Sequence, residues 1–180
     1  ILCNLFHEFP SRLGNLHSIP VSEEWYSIVI NRWNEIPEDY RVELTELSNG
    51  QKVDSRIYTY LQEMFDAARK DRIYPVVREG YRTYDEQQKI LDDKIKAYIN
   101  EGYSQSRAER TAKEWVALPG TSEHQLGIAV DINADKSKSS NDEVYTWLAA
   151  NAHNYGFILR YPQGKQEITG TSYEPWHYRY

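Results

Sequence analysis

Apolar positions along the chain change period several times, and each change marks an element. Tyr40-Arg41-Val42-Glu43-Leu44 alternates with a period of two, which predicts a first strand, and Asn49-Gly50 beyond it supplies turn chemistry. Ile57, Leu61, Met64, Phe65 and Ala68 then recur at three- and four-residue steps, so a helix follows with Asp54 placed to cap it. The β-branched run Ile73 to Val77 predicts a strand leading into the loop around Arg82. Two helical stretches come next, Asp85 to Asn100 and Ser106 to Trp115, parted by Gly102 and with Ser106 and Glu109 at capping-box spacing. The pair reads as an inserted hairpin, either scaffold or a wall over a cleft. Gly127 to Ile132 is a short strand with Ile128, Val130 and Ile132 on one face and Ala129 and Asp131 on the other. A polar loop, Asn133 to Asn141, precedes a helix from Asp142 to Tyr155 whose inner face carries Val144, Trp147, Leu148 and Tyr155 and which Gly156 ends. His153 falls in its last turn, where the helix dipole favours it. Phe157 to Tyr161 resumes a strand, Pro162 to Ser172 is a Gly-containing loop, and Trp176, Tyr178 and Tyr180 alternate with His177 and Arg179 as a closing strand.

This order predicts an α+β fold, with helices packed on a central, mainly antiparallel sheet that carries the functional site. At 180 residues one domain is expected, divided into an N-terminal arm over residues 1–37 and a main domain over 38–180. The arm carries Pro10, Pro20 and Pro37 and no sustained period, while Trp25, Tyr26 and Trp33 predict that part of it docks on the core. His7 and His17, isolated within it, read as surface or packing residues. The formal charge of −6 and the lack of a Lys/Arg cluster argue against a nucleic-acid partner. A single cysteine, Cys3, allows no internal disulfide and leaves the compartment unread. No run approaches the roughly 18 apolar residues that span a bilayer, so membrane association is expected only through an anchor outside this sequence. A monomer is expected.

The chemistry concentrates in Ser122-Glu123-His124-Gln125-Leu126-Gly127-Ile128-Ala129-Val130-Asp131 and in Glu174-Pro175-Trp176-His177. Catalytic zinc takes three protein ligands, usually imidazole nitrogens and a carboxylate oxygen, and keeps a position open for water. His124, Asp131 and His177 answer that requirement. Asp131 shares its strand face only with a small alanine, which leaves room for an ion. His124 stands an odd seven residues away and so must lie on the loop entering the strand. Glu174 precedes a proline, which holds it extended and out of strand register, and it is placed to serve as general base. A structural zinc would be closed and Cys-rich, and Cys3 cannot supply that.

The pattern Ser-x-His-x6-Asp followed far downstream by Glu-x-Trp-His resembles the VanY-type zinc D-alanyl-D-alanine carboxypeptidases, relatives of the LAS metallopeptidases. Glu79-Gly80-Tyr81-Arg82-Thr83-Tyr84-Asp85-Glu86-Gln87 is similar to the family's Gly-Tyr-Arg-Ser segment, with Glu79 where members often carry Ser and Thr83 in place of Ser. The likeness spans roughly Val42 to Tyr180. It implies Zn²⁺ on His124, Asp131 and His177, Glu174 as catalytic base, and Arg82, Gln87 and Ser122 holding the substrate. Trp176, beside His177, is placed with them although its register puts it on the aromatic face. The implied reaction is hydrolysis of the C-terminal D-alanine from peptidoglycan stem peptides, outside the cytoplasm at the bacterial wall or on a membrane anchor. L,D-carboxypeptidase, murein endopeptidase and a non-catalytic wall-peptide-binding module remain open beside it.

Overall fold

The computed structural model describes residues 25–180; the readings of Cys3, His7, His17 and of the arm as far as residue 24 lie outside them. In chain order the elements are β1 (Leu44–Glu46), β2 (Lys52–Asp54), α1 (Tyr58–Lys70), β3 (Pro75–Glu79), α2 (Tyr84–Asn100), α3 (Gln105–Ala112), β4 (Ala129–Ala134), α4 (Asn141–Asn151), β5 (Ile158–Leu159), α5 (Gln166–Thr169) and β6 (His177–Arg179). β1 and β2 form a small hairpin. The others make a four-stranded sheet in the order β3-β4-β6-β5, antiparallel at every pairing, as the sequence predicts.

β4 is central because it is apolar. Ile128, Val130 and Ile132 are fully buried, and they meet Leu61, Met64 and Phe65 of α1, Val144 and Leu148 of α4, and Phe157 and Tyr178 in one core. Each such side chain contributes roughly 1.5–3 kcal/mol on burial. Residues after 24 join this core: Ile30 is buried in it, Trp25 stacks on Tyr180 at 5.6 Å, and the Arg56 guanidinium covers Trp25 at 3.8 Å.

Several expected boundaries move. The first strand is Leu44–Glu46, not Tyr40 to Leu44, because the Tyr40 hydroxyl reaches across to donate to the Leu126 carbonyl at 2.7 Å. Asp54 does not cap α1; it lies in β2, where its carboxylate accepts from the backbone and guanidinium of Arg56. Ser106 and Glu109 form no capping box, since α3 already starts at Gln105, whose amide takes Glu109 at 2.6 Å. The capping boxes are Thr83 with Glu86 on α2 and Ser140 with Glu143 on α4. β3 runs two residues later than expected, the 142–155 helix breaks into α4 and a 3-10 turn at Ala152–Tyr155, β5 keeps two residues of its predicted five, and the 162–172 loop contains α5.

Candidate active site

Ser122 leads into a 3-10 turn, Glu123–Leu126, that ends at Gly127. Gly127 has φ of +75°, and a Cβ there would sit 3.1 Å from the Asp54 nitrogen, so glycine is needed for the sharp entry into β4. That bend lifts His124 out of strand register, as its odd spacing from Asp131 requires. His124 Nδ1 lies 2.8 Å from the carbonyl of Gly80. A carbonyl only accepts, so Nδ1 carries the proton and Nε2 is left with a lone pair. The carbonyl itself is fixed, because Gly80 N donates to Gln51 Oε1 at 2.9 Å and any Cβ at Gly80 would collide with the Lys52 backbone.

Asp131 and His177 face each other directly across β4 and β6, and Glu79 of β3 is the partner of Asp131 on its other side. The Asp131 Oδ1 stands 3.0 Å from His177 Nδ1 and 3.4 Å from His124 Nε2. The three ligand atoms lie within 4.8 Å of one another. Atoms coordinating one tetrahedral zinc at about 2.0–2.1 Å are about 3.3 Å apart, so these residues fit such an ion in both donor type and spacing. Burial would push the Asp131 carboxyl up, but the neighbouring imidazoles of His124 and His177 hold it well below the usual range. Burial lowers His124. It acts in the same sense on His177, where Asp131 and Glu123 overcome it and raise the ring to about 9.

Every candidate residue named from the sequence lines one cleft of about 460 Å³. Glu174 Oε2 is 3.8 Å from His177 Nδ1, on the same side as Asp131. Burial pushes its carboxyl up to about 7. Arg82 points its guanidinium between Glu79, at 3.6 Å, and Asp131 Oδ2, at 3.7 Å. Gln87 is buried and braces it: its Oε1 accepts from Arg82 Nη1 at 3.2 Å while its Nε2 donates to the Ala117 carbonyl at 2.8 Å. Ser122 is a buried wall residue, and the Trp176 carbonyl accepts from Ile132 N, tying the final ligand segment to β4. The segment after α3, Lys113 to Leu118, forms another wall, which gives the helical hairpin its place at the cleft.

Sequence reasoning missed the groups behind the ligands. Glu123, between Ser122 and His124, is almost wholly buried; its Oε1 accepts from Arg160 Nε at 2.7 Å and Arg179 Nη1 at 2.6 Å, and its Oε2 stands 3.5 Å from His177 Nε2. Burial would raise its carboxyl, but His177 and the two arginines hold it at about 2. Tyr161 lies against the His177 ring, centroids 4.7 Å apart. An acidic residue inside the motif, directly before His124, was the one sign the sequence carried.

A three-ligand site for one zinc-like cation, with a carboxylate beside it, on an antiparallel sheet is what the fold and these distances define. The family model for VanY, D-alanyl-D-alanine carboxypeptidase, matches residues 50–180, and the chain belongs to that family. A D-alanyl-D-alanine carboxypeptidase of Enterococcus faecalis (strain ATCC 700802 / V583) is 57% identical over 158 residues, 88% of this chain and 59% of that protein. The chain thus spans under two thirds of the length of that curated relative. Two solved structures are each 57% identical with a TM-score of 0.85: a mutant of the vancomycin resistance D,D-pentapeptidase VanY from the VanB-type cassette in complex with Zn(II), covering 87% of this chain and 88% of its own, and VanYB in complex with D-alanine-D-alanine, covering 87% of each.

Proposed function

We propose that the protein is a zinc-dependent D,D-carboxypeptidase that removes the C-terminal D-alanine from peptidoglycan stem peptides, working outside the cytoplasm at the bacterial wall. The observation that carries this reading is the spacing of His124, Asp131 and His177 for one cation with the Glu174 carboxylate beside them. The bound zinc and D-alanine-D-alanine of the two similar structures support it.

Zinc bound there would polarise the scissile carbonyl and bring the pKa of water towards neutrality. Glu174 takes a proton from the attacking water as its oxygen bonds to the carbonyl carbon. The same carboxyl then returns that proton to the amide nitrogen as the C–N bond breaks, so D-alanine leaves as the amine. The raised proton affinity of Glu174 belongs to the metal-free protein, and a cation at the ligands lowers it. Arg82, steadied by Gln87, pairs with the terminal carboxylate of the peptide and sets which amide is cut.

Purified protein, stripped with chelator and reloaded with zinc, is to be incubated with a pentapeptide ending in D-Ala-D-Ala, the corresponding tetrapeptide and a cross-linked dimer. Release of one D-alanine from the pentapeptide is expected. Release only from the tetrapeptide would make it an L,D-carboxypeptidase, cleavage only of the dimer an endopeptidase, and no cleavage with tight peptide binding a binding module.

A further inference from the structure

The mechanism above leaves unused the carboxylate of Glu123. It lies behind His177, on the side of the ring away from Asp131 and Glu174. Its two oxygens are unlike: Oε1 is saturated by Arg160 and Arg179, whereas Oε2 and His177 Nε2 are both buried, have no hydrogen-bond partner, and stand 3.5 Å apart. An anion there makes a donor of Nε2 and frees the opposite nitrogen, Nδ1, for the metal side. His124 is arranged the other way round, with Nδ1 held by the Gly80 carbonyl and Nε2 turned to the metal side. One imidazole is thus oriented by a neutral carbonyl and the other by a clamped anion.

We infer that Glu123 is a positioning residue that fixes the Nε2–H tautomer and ring orientation of His177, and that Arg160 and Arg179 act through it by dictating which oxygen His177 meets. The inference rests on His177 being a metal ligand, as proposed above. Arg179 extends the chain of contacts, since its Nη2 donates to the carbonyls of Tyr26 and Ile28. The segment after residue 24 therefore helps to hold the arginine that holds Glu123.

The isosteric change Glu123→Gln separates charge from shape. Two arginine donors converge on Oε1, so the amide oxygen must take that place and the amide NH₂ must face His177 Nε2. Nε2 then becomes an acceptor and the proton moves to Nδ1, the nitrogen that the metal needs. Partners of this kind typically change metal affinity 10–100-fold, and a loss of about that size is expected in E123Q by competition with a chromophoric zinc chelator.

Because a buried amide between two arginines also loosens the fold, the parental protein is to be read in parallel by long-range ¹H–¹⁵N correlation of its zinc-loaded histidines. His177 should show a metallated Nδ1 and a protonated Nε2, with His124 reversed. Zinc affinity of E123Q within twofold of parental, or metallation of His177 through Nε2, overturns the inference while leaving the metal site standing. Parental protein that binds no zinc, or H177A that binds it as tightly as the parent, overturns both.

Discussion

Glu174 stands beside the proposed ligands, its Oε2 3.8 Å from His177 Nδ1, where a base has to be to take a proton from water on a metal held there. Glu174→Gln keeps the shape and removes the base: kcat should fall at least about 10²-fold with zinc content unchanged, measured by D-alanine release and elemental analysis. In the proposed reaction Arg82 carries the choice between exo- and endopeptidase action. Amidating the substrate's terminal carboxylate removes a charge-assisted contact of about 1.5–3 kcal/mol, or about ten- to a hundredfold in kcat/KM. In Arg82→Ala the difference between free acid and amide should largely vanish; equal parental rates on both peptides would take Arg82 out of that role. These residues were legible because ligands and base sit at fixed spacings in two short stretches. Glu123 was not, because its partners Arg160 and Arg179 stand 37 and 56 positions away, and only the folded sheet brings them together.

Among the elements, β4 and α1 could be read from the sequence because their apolar residues keep one period and fall on one buried face. Local capping signals misled where another side chain close by in sequence claimed the group, as Arg56 claims Asp54 and Gln105 claims Glu109. The helix starts offer a test. Thr83 and Ser140 each accept from the backbone of a glutamate three residues on, and that glutamate reaches back, whereas Ser104 occupies the N-cap of α3 without a side-chain capping bond. Thr83→Ala and Ser140→Ala should each cost about 1 kcal/mol in urea unfolding. Ser104→Ala should stay within about 0.5 kcal/mol of parental. A cost at Ser104 equal to the others would mean that the hydroxyl, not the capping bond, is what matters.

For the whole molecule the site is also a fastening. Among the described residues no helix is long and apolar enough to cross a membrane, and a zinc bridge between β4, β6 and the turn before β4 would tie the sheet at its centre. At free zinc a hundredfold above Kd, binding to the native state alone adds about 2.7 kcal/mol. For a chain of 180 residues that raises the midpoint by about 5–10 °C in a thermal scan. Zinc held by His177 would also displace a proton. His177 is raised from the ordinary imidazole value of 6.5 to about 9, so between those values the metal-free fold holds a proton that the unfolded chain has lost. That contribution to metal-free stability is complete below 6.5 and disappears as pH rises through 9. Calorimetry at pH 7.5 in buffers of different ionisation enthalpy should show about one proton released per zinc, with affinity climbing as pH rises towards 9 and then levelling. Release of no proton would mean that His177 is already neutral.

The contacts that complete the site join positions far apart in the chain: His124 to Gly80 across 44 residues, His177 to Asp131 across 46, and Arg179 to Tyr26 across 153. Closures of that span form late, after the loops between them have been brought in at an entropic cost. A growing polypeptide on the ribosome holds His124 and Asp131 long before His177 exists, and two ligands without the third make a poor trap for zinc. With His177 as the third ligand, metal loading would wait until β6 has been synthesised and has closed onto β4, so a partly made chain would lack a complete ligand set.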